Sequence, residues 1–308
     1  EAGDAALKYA ADLSPAQADL EKATMLFAEG KFREAEVIAK KLIDINPRDV
    51  NAGLLLGRIA IDARAYDDAE TLLRKVVEMA PRFVAAWHDL AAVLKEQGKE
   101  EEAIKALEKV IKMEPTNAGS HYYYAGLLAM VGRTEESAES YKNSVEIDPN
   151  LVGAYLGLGH VLKTLGDQDG GIKAYRAGIA LRPNLGEIYF SLSNLKTFRF
   201  SDDEIEDMVK RINQESLSPE SVVHFAFSLG KAFEDNKDYD RAFQYYSQGN
   251  QEHRNSIAYD PVRTEVAHSK MKEVFSEEFF NRIKKTQAGV QDPDPIFIVG
   301  FPRSGSTL

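Results

Sequence analysis

Residues 81–115 read PRFVAAWHDLAAVLKEQGKEEEAIKALEKVIKMEP, and this stretch decides the fold. Trp87, Leu90, Ala91 and Leu94 recur at helical spacing and form one apolar stripe. Ala103, Ile104, Leu107, Val110 and Ile111 form a second. Gly98-Lys99 separates the stripes with a turn signal, so the segment predicts two helices folded back as an αα-hairpin.

Outward from this hairpin the pattern repeats. Prolines stand at 47, 81, 115, 149 and 183, each 34 residues after the last, and a fixed period of this size marks a stacked repeat. Small residues keep the same step in pairs twelve apart: Ala23/Ala35, Gly57/Ala69, Ala91/Ala103, Ala125/Ser137 and Gly159/Gly171. At those points two helices can cross closely.

On these markers the chain resembles the tetratricopeptide repeat family: Trp87 with Leu90 and Ala91, Leu158 with Gly159, Tyr141 and Tyr175 in second helices, and the closing prolines. The resemblance implies an all-α superhelix of αα-hairpins, with five full units starting near 16, 50, 84, 118 and 152. A sixth unit begins at 186 and runs three residues long; Ser201-Asp202-Asp203-Glu204 predicts a capping box that restarts its second helix. A seventh follows with Leu229, Gly230, Phe233, Ala242, Phe243 and Tyr246 in register. Pro261 to Lys285 reads as one further helix, and Gln291-Asp-Pro-Asp-Pro295 as a non-helical linker. The expected division is 1–15 an N-terminal cap, 16–255 the solenoid, 256–294 linker helix and Pro-rich linker, and 295–308 the start of an α/β domain.

Composition excludes several function classes. Lys+Arg 38 against Asp+Glu 49 gives a net charge of −11 with no basic block, which argues against nucleic-acid binding. With no cysteine there is no disulfide, thiolate zinc site or cysteine nucleophile. The six histidines (88, 121, 160, 224, 253, 268) show no metal-ligand spacing, so no metal is expected. The sequence lacks an 18-residue apolar run and a signal-peptide pattern, which predicts a cytoplasmic protein with no membrane partner. It starts at Glu1 and stops at Leu308, and reads as a piece of a longer protein.

Solenoids of this kind display one set of side chains along a concave face formed mainly by first helices. Asn51, Arg58, His88, Lys95, Tyr122, His160, Lys163 and Asn194 are expected there. Singly, each reads first as a solvated helix-face residue; as a set they read as a groove for a peptide or for another domain of the same protein. In Tyr122-Tyr123-Tyr124, helical geometry turns Tyr124 inward and Tyr122 outward. The Lys, Arg and Asn set that a two-carboxylate clamp for chaperone tails needs is not assembled here.

The end of the chain differs. Ile296-Phe297-Ile298-Val299 has the character of a buried parallel strand, and Gly300-x-x-x-x-Gly305-Ser306-Thr307 matches the phosphate loop G-x-x-x-x-G-K-[ST] except that Ser306 replaces the lysine. Backbone N–H groups and two hydroxyls could cradle an anion, with Arg303 as a forked cationic contact. The string Phe-Ile-Val-Gly-Phe-Pro-Arg-Ser-Gly-Ser-Thr-Leu resembles the 5'-phosphosulfate loop of sulfotransferases, in the form found where tetratricopeptide repeats precede a sulfotransferase domain. That resemblance implies a cofactor, 3'-phosphoadenosine-5'-phosphosulfate (PAPS), held by Arg303, Ser304, Gly305, Ser306 and Thr307 in the complete protein. It implies sulfuryl transfer to a hydroxyl or phenol, with the general base downstream of Leu308 and the 308-residue chain inactive alone. The alternative is a non-enzymatic adaptor that binds peptides in the concave groove.

Overall fold

A computed structural model describes residues 15–214 and 216–286, and within these there are sixteen helices and no strand. The described residues fall into two compact units, divided between His253 and Arg254.

In the first unit the helices come in pairs: α1 (Pro15–Ala28) with α2 (Phe32–Ile45), α3 (Val50–Asp62) with α4 (Tyr66–Met79), and α5 (Val84–Glu96) with α6 (Glu100–Met113). Next come α7 (Ala118–Met130) with α8 (Thr134–Ile147), and α9 (Val152–Thr164) with α10 (Gln168–Leu181). The first unit is completed by α11 (Gly186–Ser193), α12 (Asp202–Ile212), α13 (Pro219–Asp235) and α14 (Tyr239–Ser256), the last of which crosses into the second unit. From α1 to α10 each second helix packs on its own first helix and on the first helix of the next pair, as in an αα-hairpin superhelix.

One turn recurs at every hairpin from α1 to α10. Gly30, Gly98, Gly132 and Gly166 have φ of +77°, +70°, +78° and +83°, and Arg64, 34 residues after Gly30, takes the same left-handed conformation at +56°. The following residue then donates its N–H five positions back: Lys31 to Leu26, Ala65 to Ala60, Lys99 to Leu94, Arg133 to Leu128 and Asp167 to Leu162, all at 2.8–2.9 Å. This closure satisfies carbonyls that a helix end otherwise leaves unpaired. The second helices open on acids, Asp67-Asp68, Glu100 to Glu102 and Glu135-Glu136, where the positive end of the helix dipole favours them.

The small-residue pairs lie where the two helices of a hairpin touch. Ala23, Ala35, Ala69, Ala91, Ala103 and Ala125 are fully buried. Ser137 Oγ donates to the Ala125 carbonyl at 2.7 Å, so a hydroxyl is accommodated at its crossing. Around them Leu73, Leu90, Leu107 and Leu127 are at most 2% exposed, and a fully buried leucine contributes about 1.5–3 kcal/mol. One core joins α3 to α7; another runs from α9 to α14.

The sixth pair departs from the period. α11 is only eight residues long, and the connection to α12 buries Phe198 and Phe200 with their rings edge to face at 4.8 Å. Ser201 then caps α12: its side chain accepts from the Glu204 N–H while Glu204 reaches back to the Ser201 N–H, the expected capping box. α11 lies against α13, with the Tyr189 ring 4.9 Å from Phe225.

In the second unit the single helix expected over Pro261–Lys285 is two, α15 (Pro261–Val274) and α16 (Glu277–Thr286). The break has a local cause. Phe275 leaves the helical region, and the Ser276 hydroxyl accepts from the Phe279 N–H at 3.3 Å with two glutamates following, an N-terminal signal strong enough to restart the helix. The strand and loop expected at 295–308 lie outside the described residues, as do residues 1–14 of the cap expected at 1–15; Pro15 opens α1.

Candidate functional site on the first helices

Successive first helices touch one another directly, α1 with α3, α3 with α5 and α7 with α9, which places them on the inside of the curve. Three side-chain joints cross between them. Arg58 Nε donates to Asp89 at 2.6 Å, the His88 ring nitrogen and Ser120 hydroxyl are 2.8 Å apart, and His160 meets Ser191 at 3.0 Å. Arg58 to Asp89 and His160 to Ser191 share one register, each 31 residues apart.

Four of the eight candidate groove residues are therefore joined to neighbours. Arg58, His88 and His160 tie one first helix to the next, and Lys95 pairs with Glu96 beside it at 3.2 Å. Burial, opposed by Asp89 and Glu114, holds the His88 imidazole below its ordinary pKa; burial likewise lowers His160, against Glu187. Both rings are neutral at pH 7 as a result. Asn51, Lys163 and Asn194 are exposed, Asn51 in the first turn of α3 and Asn194 at the C-cap of α11. Tyr122 is 38% exposed, while Tyr124 packs against the core and offers its hydroxyl to Glu108 at 3.4 Å.

The arrangement around Tyr122 was not visible in the repeat markers. The Tyr122 ring lies over α9 at Gly153, where an added Cβ would come 3.1 Å from the phenol oxygen. Tyr141 reaches from α8 between α7 and α9, and its ring fills the side-chain space of Gly157. The two rings are 6.0 Å apart and tilted by 58°. Burial, and secondarily Tyr122, pushes the Tyr141 phenol up to about 12, so it stays protonated. The usable signal was the pairing of glycines on one first helix with tyrosines on the preceding hairpin.

Other expected core and site residues can be placed. Trp87 donates its indole N–H to the Pro81 carbonyl at 2.9 Å, and His121 Nε2 donates to the Pro115 carbonyl at 3.0 Å, so the repeat's prolines also act as acceptors. Among the described residues no group of three His, Asp or Glu is positioned for a metal, and no helix is long and apolar enough to cross a membrane. Arg303, Ser304, Gly305, Ser306 and Thr307 lie outside the described residues.

This architecture defines a class, the αα-hairpin superhelix, and the comparisons narrow it. Residues 26–94, 84–117 and 152–185 each match a tetratricopeptide repeat profile. The chain thus carries tetratricopeptide repeats, and its first unit has that superhelical fold. The crystal structure of MamA is 21% identical with a TM-score of 0.51, covering 56% of this chain and 94% of that one. MamA from residue 41 to its end, from Desulfovibrio magneticus RS-1, is 20% identical with a TM-score of 0.51, over 55% and 95% of the two chains. At these identities the likeness is one of fold. An uncharacterized protein of Aquifex aeolicus is 30% identical over 114 residues, which are 37% of this chain and 15% of that protein.

Proposed function

We propose that this chain is a protein-interaction scaffold that takes an extended peptide or segment along its first-helix face. The observation that carries the reading is the direct contact of successive first helices, stitched by Arg58–Asp89, His88–Ser120 and His160–Ser191. These joints stiffen the inner face as one surface, and a surface ordered before binding loses less entropy on binding. Adaptor action fits this rigid face better than catalysis does, because Ser120 is fully buried and Ser191 nearly so, which keeps both hydroxyls from a substrate despite their histidine neighbours.

Quantitative capture of partners from the native host tests this. Asn51→Glu, Lys163→Glu and Asn194→Lys on the first helices are expected to lower capture of a common set of proteins. Glu139→Lys and Lys173→Glu, on exposed positions of α8 and α10, are expected to leave it unchanged. Equal loss from both groups would overturn the proposal.

A fuller reading places these repeats beside a PAPS-dependent sulfotransferase domain and makes the face a dock for the acceptor protein or for that domain. Its support is the sequence of Gly300 to Thr307, and the profile matches cover the repeats. Binding of 3',5'-ADP by the complete protein, abolished by Arg303→Ala, would favour it over the simple adaptor.

A further inference from the structure

Charge is distributed unevenly over the first helices. α7, AGSHYYYAGLLAM, contains no Asp, Glu, Lys or Arg, and α9, VGAYLGLGHVLKT, contains one, Lys163. Their second helices carry the charge instead, as the sequence TEESAESYKNSVEI of α8 shows. The cations of α3 and α5 are already answered, Arg58 by Asp89 and Lys95 by Glu96. Lys163 is exposed and forms no ion pair among the described residues.

Within this neutral stretch Tyr122 and Tyr141 lie on glycine. An added Cβ at Gly153 would be 3.1 Å from the Tyr122 hydroxyl, one at Gly126 3.6 Å from the Tyr141 hydroxyl, and one at Gly157 2.3 Å from the Tyr141 ring. Without those side chains the phenols can rest on the helix backbone. Tyr122 remains 38% exposed, and Tyr141 braces it from one side. Such a pair attracts a third ring, since tilted and edge-to-face contacts add to plain burial. A charged side chain would lose hydration there with no opposite charge on α7 to replace it.

We infer that this seat takes an uncharged aromatic side chain of an extended peptide that also carries an acidic residue four or five positions away, paired with Lys163. The spacing follows from the helix: Gly153 to Lys163 is ten residues, about 15 Å at 1.5 Å per residue, and an extended chain covers about 3.3 Å per residue. The inference rests on the groove reading above and names the ligand chemistry for one part of it.

The test uses the whole chain, 15N-labelled, titrated with the synthetic peptide acetyl-GSFGSAEG-amide and with two controls in which Phe or Glu is replaced by Lys. The expected result is amide shifts at Gly126, Gly153, Gly157 and Lys163 with the first peptide, and at least tenfold weaker binding of either control. Tyr122→Ala, at a half-exposed position, should abolish the glycine shifts without altering the rest of the spectrum. Lys163→Glu should reverse the order of the Glu and Lys peptides. Tighter binding of the peptide lacking Phe, or shifts confined to other first helices such as α3 and α11, would overturn the seat while leaving the groove reading in place. Shifts confined to the second helices would overturn both.

Discussion

The ring of Tyr141 occupies the space that a side chain on Gly157 would need, with Cζ 2.3 Å from where a Cβ would stand. Gly157→Ala therefore carries opposing terms: alanine favours the helix by about 1 kcal/mol, and displacing a packed ring costs about 1–3 kcal/mol. Ring displacement is expected to win, leaving the variant about 1 kcal/mol less stable in urea and Tyr141 more reactive to a phenol reagent. A more stable variant with an unmoved Tyr141 would show that the contact is slack.

Arg64 and Lys237 sit in the left-handed region at φ +56° and +62°, where the equivalent turns at 30, 98, 132 and 166 use glycine. Arg64→Gly relieves that strain at the expense of unfolded-state entropy, and the expected net gain is about 0.5 kcal/mol. A chemical denaturation midpoint that rises for Arg64→Gly, and falls for Gly98→Arg, agrees with this. No difference between the two substitutions would contradict it.

How the sequence encodes the fold is plain at these turns. The prolines, the small-residue pairs and the Ser201–Glu204 capping box are local signals, each set by sterics or by one hydrogen bond, and they placed the hairpins correctly. The turn at Arg64 escaped the glycine signal because the repeat imposes a conformation its residue does not prefer. The break at Phe275 was hidden because the apolar spacing of Val266, Met271, Val274 and Phe279 runs on through it. The site was legible only as a face. That Arg58, His88 and His160 are already joined to the next first helix depends on contacts 31 or 32 residues apart in sequence, and that Tyr141 from a second helix reaches this face depends on its contact with Gly157 in the next hairpin.

The Tyr175 hydroxyl is buried and has no hydrogen-bond partner among the described residues, and an unpaired buried hydroxyl costs about 1–3 kcal/mol. Tyr175→Phe keeps the ring against Gly159 and removes that cost, so its thermal midpoint is expected to equal or exceed that of the parent. A drop of several degrees would reveal a bond that the hydroxyl makes.

Acid should act on the superhelix in two steps. His88 and His160 have pKa values lowered by burial, so the unfolded chain binds their protons first, and stability falls as pH drops below about 6.5. Glu70 is held at about 2 chiefly by Lys99, with Arg74 adding to it; its contribution is complete above about 4.5 and is lost as pH falls toward 2. Thermal midpoints measured against pH should fall less steeply just below about 6.5 in the His88→Gln, His160→Gln double variant, and below about 4.5 in Glu70→Gln. Unchanged profiles would refute the assignment.

Whether partners bind the first-helix face can be read by site-specific photocrosslinking in the native host. A benzophenone side chain placed at Asn51 or Lys163 on first helices, and at Glu139 or Lys173 on second helices, reports which surface a partner touches. Discrete adducts containing one common partner are expected from positions 51 and 163, and none from 139 and 173. Adducts from 139 and 173 alone would place binding on the outer surface and contradict that expectation.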